Sequence, residues 1–499
     1  MLGLNIFESA LLVASLYGAY LVGLGIWRTV FHPLARFPGP RLAALTRWYE
    51  CYFDVYLGGQ YFKEIERLHS IYGPVVRISP HELHVKDPDW VTELYPPGNR
   101  VRNKYAWFLS EGTDATSSAT VQHHVHRQRR STLAPSFSRQ SIVAVEDSVV
   151  RANLDIMCNR LDEYAAQGSP VVLATAFSSL TLDSVLQIWY GVEPGQTRHW
   201  AFFPDWSEAI QPLLNASHLL RHFPKAFLLL AILPQSSWDV LMPGVSMIFN
   251  LQKAAAHLAH EAMQDPVSEK KTSVLQRLRK SSLPASERSL NRLSDEGFSF
   301  VMASTESTAL TLAAIFYHLA DNPNVLAHLR TQLPSADASW TALEEIPYLR
   351  HVVNEAMRVT ALVTGRLARV APDETLRYET WEIPPGTPVS MDHHFTHLDP
   401  SIFPEPRRFE PDRWRIAAEK GQPLDRYFVP FGRGSRMCIG INLAKCIIYR
   451  TLAAVLCRYD IELFETTRED VDVVRDNLLG AVKPGSKGVR VILSRRVSD

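Results

Sequence analysis

The sequence predicts a mainly α-helical protein with a small β-sheet and one N-terminal transmembrane helix. Apolar residues recur at helical spacing over long stretches, of which residues 295–322 and the run that begins at Ile441 are the clearest. Strand-like patterns are confined to residues 75–78 with 84–85 and to residues 389–391. The chain has 499 residues, 46% of them hydrophobic, which is enough to bury a large core.

The first 40 residues predict a membrane anchor followed by a stiff hinge. Residues 9–27 carry no charge, and a helix of that length spans roughly 28 Å. Basic residues follow this stretch and none precedes it, so the positive-inside rule places the large domain on the cytosolic side. A cleaved signal peptide would need a basic start, and a buried core helix would leave the hinge unexplained. We expect an anchor at residues 1–31, a proline-rich hinge at 32–40 and one domain at 41–499.

Composition excludes several classes of protein. The formal net charge is zero, so the chain has no basic excess with which to bind nucleic acid. Five cysteines are too few, and odd in number, for a disulfide scaffold, and they favour a reducing compartment. Residues 266–297 are rich in Ser, Lys, Glu and Arg and predict a solvated excursion between two helices.

The most informative stretch is a glycine-bent loop that leads from Phe428 into the helical pattern after Ile441. Cys438 lies there, just before the predicted helix N-terminus, where free N–H groups favour a thiolate. A zinc site would need further Cys or His at short spacing, and Cys446 is the nearest. A nucleophilic cysteine would need a base, which the sequence leaves open. Haem iron would need one thiolate, a cation for its propionates and small residues near the porphyrin, and the loop contains Phe431, Gly434, Arg436, Cys438 and Gly440.

At this point the loop resembles the haem-binding signature of the cytochromes P-450. The spacing Phe431-x-x-Gly434-x-Arg436-x-Cys438-x-Gly440 matches every defined position of that signature. The resemblance implies the triangular haem-thiolate fold and a haem b (heme b) cofactor. It further implies that Cys438 is the proximal iron ligand, that Arg436 pairs with a propionate and that Phe431 packs beside the sulfur. Fungal members of secondary metabolism are the most similar in overall pattern.

Two further stretches resemble propionate-binding positions of the family. The run from residue 123 to 130 contains three histidines and three arginines, and by itself it fits a metal site, a nucleic-acid patch or a basic helix end on the surface. The resemblance assigns His126 and Arg130 to a haem propionate instead. Arg369 resembles another propionate-binding arginine. Two partly buried carboxylates need about two cations to stay ionised, which these arginines would supply.

The helical pattern over residues 295–322 contains a polar interruption from residue 303 to 308. Such residues within an apolar helix need partners, and hydroxyl bonding to a carbonyl four residues earlier is the ordinary explanation. The stretch also resembles the family's oxygen-activation motif, which would place Ala303 over the iron and give Glu306 and Ser307 to proton delivery. Ser304 and Ser307 depart from the usual glycine and threonine. Thr308 is a second candidate alcohol, and Ser304 is expected to donate to the carbonyl of Phe300.

Glu355 and Arg358 lie three residues apart on a predicted helix, where a surface salt bridge is the default interpretation. The resemblance identifies them with the second family signature and Arg413 with the arginine that completes a triad. Its expected role is structural, because the triad would fix the loop that carries Cys438.

The function that these resemblances imply is monooxygenation. The chain would take NADPH-derived electrons from a separate reductase, with cytochrome b5 as a further candidate donor, and use O₂ to hydroxylate or epoxidise a lipophilic terpenoid or polyketide. A separate reductase is implied because no dinucleotide-binding glycine motif follows a strand. The alternatives are a haem-thiolate isomerase, dehydratase or peroxide-using enzyme, and a non-catalytic haem or sterol binder.

Family layout also predicts where the protein lies and which segments contact substrate. We expect a single-pass protein of the endoplasmic reticulum membrane with its catalytic domain on the cytosolic face. Substrate contacts are expected in four mostly apolar segments, and the uncharged run 227–233 would be a membrane-dipping entrance or a core helix. The four segments are residues 105–120, 202–233, 362–367 and 478–482.

Overall fold

A computed structural model describes residues 6–108, 115–192, 195–199, 202, 205–225, 243–264 and 273–496 of the chain. The expected class is confirmed, because most of the described residues are helical and the strands are short. The uncharged run 227–233 lies outside the described residues.

The helices surround one large hydrophobic core. The α-helices of the described residues are α1 Ile6–Ile26, α2 Arg41–Leu45, α3 Trp48–Cys51, α4 Tyr61–Tyr72, α5 Val91–Leu94, α6 His123–Leu133, α7 Arg139–Val145, α8 Ala152–Gln167, α9 Leu173–Tyr190, α10 Asp205–His222, α11 Pro243–Gln264, α12 Val274–Arg279, α13 Leu290–Ala320, α14 Pro323–Arg330, α15 Trp340–Glu344, α16 Pro347–Thr360, α17 His393–His397, α18 Asp412–Glu419 and α19 Ile441–Arg458.

The strands form four small sheets. They are β1 Val75–Arg77, β2 Leu83–Val85, β3 Asn103–Lys104, β4 Val171–Val172, β5 Arg369–Val370, β6 Leu376–Tyr378, β7 Trp381–Ile383, β8 Pro388–Ser390, β9 Tyr459–Leu463, β10 Arg475–Asn477, β11 Leu479–Ala481 and β12 Arg490–Arg495. The largest sheet has the order β1-β2-β8-β5-β3, in which only β2 and β8 run parallel. The other sheets are β4-β12-β9, β6-β7 and β10-β11.

Two sequence expectations about secondary structure were wrong. The predicted strands exist as β1, β2 and β8, but strands are not confined to those places, because most of the others have only two or three residues and are too short to show alternation. The predicted solvated excursion at 266–297 contains α12, in which Val274, Leu275 and Leu278 are buried, and the start of α13. Residues 266–272 of it lie outside the described residues.

Helix α13 is the element around which the helices pack. It has 31 residues, and its N-cap is Ser289, whose side chain accepts a hydrogen bond from the N–H of Arg292. Its apolar faces pack against α9, α11, α16 and α19, and Phe316 stacks on Phe177 of α9 with ring centroids 5.2 Å apart. Because α13 is held on several sides, the polar residues at its centre have fixed positions.

The N-terminal helix differs from α13 although both are long and apolar. Residues Phe7–Phe31 have a mean hydropathy of 1.8 and none of the most apolar window is buried, whereas more than half of the corresponding window of α13 is buried. Burial identifies α13 as a core helix. The exposed N-terminal helix is compatible with a membrane anchor.

Candidate functional site

The loop that carries Cys438 is held from both sides. The Cys438 N–H donates to the carbonyl of Phe431 at 2.8 Å, and α19 begins three residues later with Gly440 as its N-cap. Gly434 has φ +76°, and a Cβ atom there would lie 2.7 Å from the carbonyl oxygens of Tyr95 and Pro96. Gly434 is therefore required for packing of the loop against residues 95–96, a tertiary reason that differs from the porphyrin approach suggested by the sequence.

The Cys438 side chain is accessible yet enclosed by protein. Its surface is exposed, while burial raises the pKa of its thiol above the usual value. These two properties agree if the sulfur borders an internal cavity. The N–H of Gly440 and the charge of Arg130 act in the opposite direction on the pKa, but they are outweighed. The helix end alone therefore does not produce the expected thiolate, whereas a metal cation bound to the sulfur would displace the proton outright.

Three arginines surround this region without carboxylate partners. Arg436 donates to the carbonyls of Thr120 and Val121 at 2.7 and 2.8 Å, and Arg369 donates only to carbonyl oxygens. Across the described ranges, no carboxylate forms an ion pair with Arg130, Arg369 or Arg436.

Burial and mutual repulsion perturb this group. They lower the pKa of Arg436 to about 9 and that of His126 to about 3, with burial as the larger cause and the neighbouring arginines as the smaller one. The Arg436 Nε and His126 Nδ1 atoms are buried and have no hydrogen-bond partner. Uncompensated buried cations are costly, and an anionic group that places two carboxylates here would relieve that cost. The donor set therefore fits the two propionates of a haem.

Lys104 belongs to the same group of cations, although the sequence did not indicate it. It lies in β3 directly opposite Arg369 of β5, and its Nζ donates to the carbonyl of Ser118 at 3.1 Å. Burial, Arg369 and Arg436 lower its pKa to about 8. Like charges that face each other across two strands are unfavourable, which again indicates an anionic ligand. No sequence signal was available, because a two-residue strand has no detectable pattern.

The polar centre of α13 presents different residues in different directions. Ala303 is exposed although most of the helix is buried, and Ser307 lies about 40° from it around the helix axis. The Ser307 Oγ donates to the carbonyl of Ala303 at 2.8 Å. The expected bond from Ser304 to the carbonyl of Phe300 is not formed; Ser307 makes the corresponding bond. Thr308 is buried and lies about 140° from Ala303, on another side of the helix.

Glu306 is buried between α13 and α9. Ser178 of α9 donates to its Oε1 at 3.1 Å. Burial raises the pKa of Glu306 to about 7, although the bond from Ser178 acts to lower it. Near neutral pH the carboxyl group can therefore both hold and release a proton. Ser178, which the sequence did not identify, is its only hydrogen-bonding side chain within the described part of the chain.

Glu355 joins α16 to the segment that precedes the cysteine loop. Arg358 binds it in a bidentate manner at 2.8 and 2.9 Å, and Arg413 Nε donates to Oε1 at 2.8 Å. Glu355 and Arg358 are fully buried, which excludes the surface salt bridge considered above. Trp414 also donates to Glu355 at 3.1 Å and packs edge-on against Phe428 at 5.0 Å. A connected path thus runs from α16 to the start of the loop.

Comparison with known proteins agrees with this geometry. The cytochrome P-450 family model matches residues 41–485. The conidiogenone synthase of Penicillium rubens is 39% identical over 96% of this chain and 97% of its own length. The tryptophan 6-hydroxylase of Fusarium equiseti is 38% identical over 95% of this chain and 94% of its own. A cytochrome P-450 monooxygenase of Penicillium brasilianum is 37% identical over 96% of both chains.

Family membership therefore rests on nearly the whole chain, and it implies an oxidoreductase with thiolate-ligated haem iron that uses O₂. This chain belongs to the cytochrome P-450 family, and several of the fungal proteins that match it are named cytochrome P-450 monooxygenases.

Proposed function

We propose that this protein is a membrane-anchored monooxygenase that hydroxylates or epoxidises a lipophilic intermediate of secondary metabolism. The observation that carries the proposal is the convergence of Arg130, Arg369 and Arg436 beside the accessible thiol of Cys438. None of these arginines is neutralised by a carboxylate of the described chain. This donor set suits one metal-bound sulfur and two ligand carboxylates on the same group.

The residues on either side of the proposed cofactor have distinct tasks. Cys438 would hold the iron through Sγ, and Arg130, Arg369, Arg436 and His126 would hold the propionates. The haem, when bound, supplies the redox centre at which O₂ is activated. Phe431 and Gly440 flank the cysteine in the loop. The exposed Ala303 offers a small side chain and leaves room on the α13 side.

Proton delivery is assigned to Glu306 and Ser307. Glu306 can exchange protons near neutral pH because its pKa is about 7. Ser307 lies on the same side of α13 as Ala303, and its hydroxyl donates a hydrogen bond to the Ala303 carbonyl. Because Glu306 is bonded to Ser178, a water molecule or a side-chain rotation has to connect the two groups. Thr308 is the less suitable alcohol, since it is buried on another side of the helix.

The substrate is proposed to be a terpenoid or polyketide. Two of the expected contact segments meet, because the Gly480 N–H donates to the carbonyl of Leu362 at 2.6 Å. Leu478, at the tip of the β10–β11 hairpin, is half exposed and offers an apolar side chain. The relatives are named for conidiogenone synthesis and tryptophan hydroxylation, so an indole amino acid is the competing substrate class.

The electron donor is proposed to be a separate NADPH-dependent reductase, with cytochrome b5 as an auxiliary donor. The family match accounts for residues 41–485, and monooxygenases of this family generally take their electrons from a partner reductase. The exposed N-terminal helix supports placement in the endoplasmic reticulum membrane with the catalytic domain in the cytosol.

A spectroscopic experiment tests the haem assignment. The purified, dithionite-reduced, CO-treated protein should show the absorption band of thiolate-ligated haem. Cys438→Ala should abolish it, whereas Cys457→Ala, near the C-terminal end of α19 and half-buried, should retain it. An identical spectrum for Cys438→Ala and the wild type would overturn the proposal.

The substrate class is tested with the same preparation. Terpenoid, polyketide and tryptophan panels are screened for a substrate-induced spin-state change, and compounds that bind are incubated with reductase, NADPH and O₂. The expected result is a product that contains one added oxygen atom and depends on NADPH. Turnover without NADPH would favour the isomerase, dehydratase or peroxide-using alternative, and binding without product would favour a non-catalytic binder.

A further inference from the structure

A second group of metal-binding side chains lies outside the haem site, where the N-terminal part of the domain meets the end of α10. Glu50 and Asp54 come from α3 and from the turn of π-helix that follows it at Tyr52–Tyr56. His218 and His222 come from the last turns of α10, one helical turn apart. Potential ligand atoms of Glu50, Asp54 and His222 all lie within 4.8 Å of one another.

These side chains are deeply buried, and several of their polar atoms lack hydrogen-bond partners. The side chains of Glu50, Asp54, His218 and His222 are each at most 4% exposed. Five of their polar atoms form no hydrogen bond: Glu50 Oε2, Asp54 Oδ1, Asp54 Oδ2, His218 Nδ1 and His222 Nε2. Buried carboxylate oxygens without a hydrogen-bond donor are rare and costly, so a cation at this cluster would be stabilised.

The hydrogen bond on the far side of His218 defines what faces Asp54. Its Nε2 lies 2.6 Å from the carbonyl oxygen of Asp476, which can only accept, so Nε2 carries the proton. In the neutral ring the Nδ1 lone pair then points toward Asp54 Oδ2, 3.3 Å away. Two electron pairs facing each other at this distance repel, whereas a cation between them, either a metal ion or a proton on Nδ1, is bound by both. A histidine whose other ring nitrogen binds a carbonyl is the usual arrangement of a metal ligand.

The surrounding charges leave room for a cation. Arg366 occupies Oε1 of Glu50 and also binds Glu82, which leaves Oε2 of Glu50 free. Arg221 stands 3.9 Å from Asp54. Three carboxylates against two arginines leave the cluster with an excess negative charge when both histidines are neutral.

We propose that Glu50, Asp54 and His222 bind a divalent transition-metal ion, with Zn²⁺ as the best match and His218 as the fourth donor. A mixed set of nitrogen and oxygen donors suits zinc, which is bound tetrahedrally at about 2.0–2.1 Å. Such bonds place neighbouring ligand atoms about 3.3–3.4 Å apart. The observed separations from Asp54 Oδ2 are 3.3 Å to His218 Nδ1 and 3.8 Å to His222 Nε2, and the atoms of Glu50, Asp54 and His222 lie within 4.8 Å of one another, so ion binding would draw these side chains closer together.

The site would fasten the end of α10 to the body of the domain. Trp107 contributes to the same junction, because its Nε1 donates to Glu50 Oε1 at 3.1 Å and its ring packs edge-on against His222. Segments 105–120 and 202–233 are among those expected to contact substrate, so a bound ion would restrain two sides of the substrate cavity at once. The role proposed for the ion is that of a structural clamp.

The test measures zinc in the full-length, haem-loaded enzyme prepared in detergent without a polyhistidine tag. Elemental analysis should give one zinc per haem iron, and chelator-treated enzyme should take zinc up again from ZnSO₄ at a single saturable site. Asp54→Asn and His222→Gln should weaken zinc binding by at least about tenfold. His257→Gln removes an exposed histidine that also faces a carboxylate, Glu261, and should leave zinc binding unchanged.

X-ray absorption at the zinc edge on the wild type keeps the test decisive if a variant fails to fold. Coordination by nitrogen and oxygen alone is expected, and sulfur in the coordination shell would overturn the assignment. Wild-type enzyme that holds no zinc above the buffer content and shows no saturable uptake would also overturn it. Equal zinc binding by the wild type and by a folded Asp54→Asn variant would overturn it as well. In that case the cluster would be an ion pair between protonated His218 and Asp54.

Discussion

Replacement of Glu306 by glutamine tests the role of this carboxyl group through both stability and turnover. Burial raises the pKa of Glu306 from 4.5 to about 7 in the folded protein, whereas the unfolded chain keeps the ordinary value. Below pH 4.5 the group is protonated in both states and costs nothing. As the pH rises from 4.5 through the folded pKa near 7, the free energy of unfolding falls, because Glu306 ionises at a lower pH in the unfolded chain than in the folded protein. At about 1.4 kcal/mol for each pKa unit, the loss above pH 7 amounts to about 3 kcal/mol.

Glutamine has the same shape and does not titrate, so Glu306→Gln should abolish this loss. For a chain of 499 residues the entropy of unfolding is about 1 kcal/mol/K, so the variant should melt about 3 °C higher than the wild type at pH 8. At pH 4.5 the two proteins should melt together. Glu382→Gln, at an exposed glutamate, controls for the removal of a charge.

Turnover should change in the opposite direction. A glutamine cannot hold the proton that O₂ cleavage consumes, so product formation should fall by about 10²-fold while NADPH oxidation continues and releases peroxide. The measurements are melting curves from pH 4.5 to 9 and the ratio of product to NADPH consumed. A wild-type melting profile parallel to that of Glu306→Gln, together with unchanged coupling, would refute the reasoning.

Three other substitutions or deletions have definite expected outcomes. Glu355→Ala leaves a buried arginine without its carboxylate and should lower the free energy of unfolding by about 3–5 kcal/mol, seen as a melting temperature about 4 °C lower and as loss of haem. The control Glu405→Ala removes one partner of an exposed ion pair and should cost under about 1 kcal/mol. Equal losses of stability in the two variants would contradict the structural role of the triad. Gly434→Ala forces a Cβ atom against two carbonyl oxygens and should prevent haem incorporation, while Gly421→Ala, which has a similar φ of +70° but open space, should be mildly destabilising. Deletion of residues 1–31 should move the protein from the membrane fraction to the soluble fraction and leave its CO spectrum unchanged; membrane association of the truncated protein would show that other surfaces suffice.

The sequence was most informative where function depends on residues close together in the chain. The cysteine loop, the pair Glu355 and Arg358 and the polar centre of α13 each lie within one element or turn, so spacing alone indicates which side chains share a face. Tertiary packing decided their environment. Arg358 is fully buried and not on the surface, and Gly434 is required by the carbonyls of residues 95–96.

Residues that act across elements gave no signal. Ser178 reaches Glu306 from 128 positions away, and Lys104 faces Arg369 through a two-residue strand. The expected thiolate at Cys438 also depended on the environment, because burial opposes the charge that the helix end favours.

The sequence by itself determined the fold class, the cysteine loop and the apolar N-terminal helix, because each depends on periodicity or on spacing within a short stretch. Only the tertiary structure decided which charges lack partners. The uncompensated arginines beside Cys438 and the partnerless ligand atoms around Asp54 both arise where distant segments meet in the interior, where an unpaired charge has no water to stabilise it.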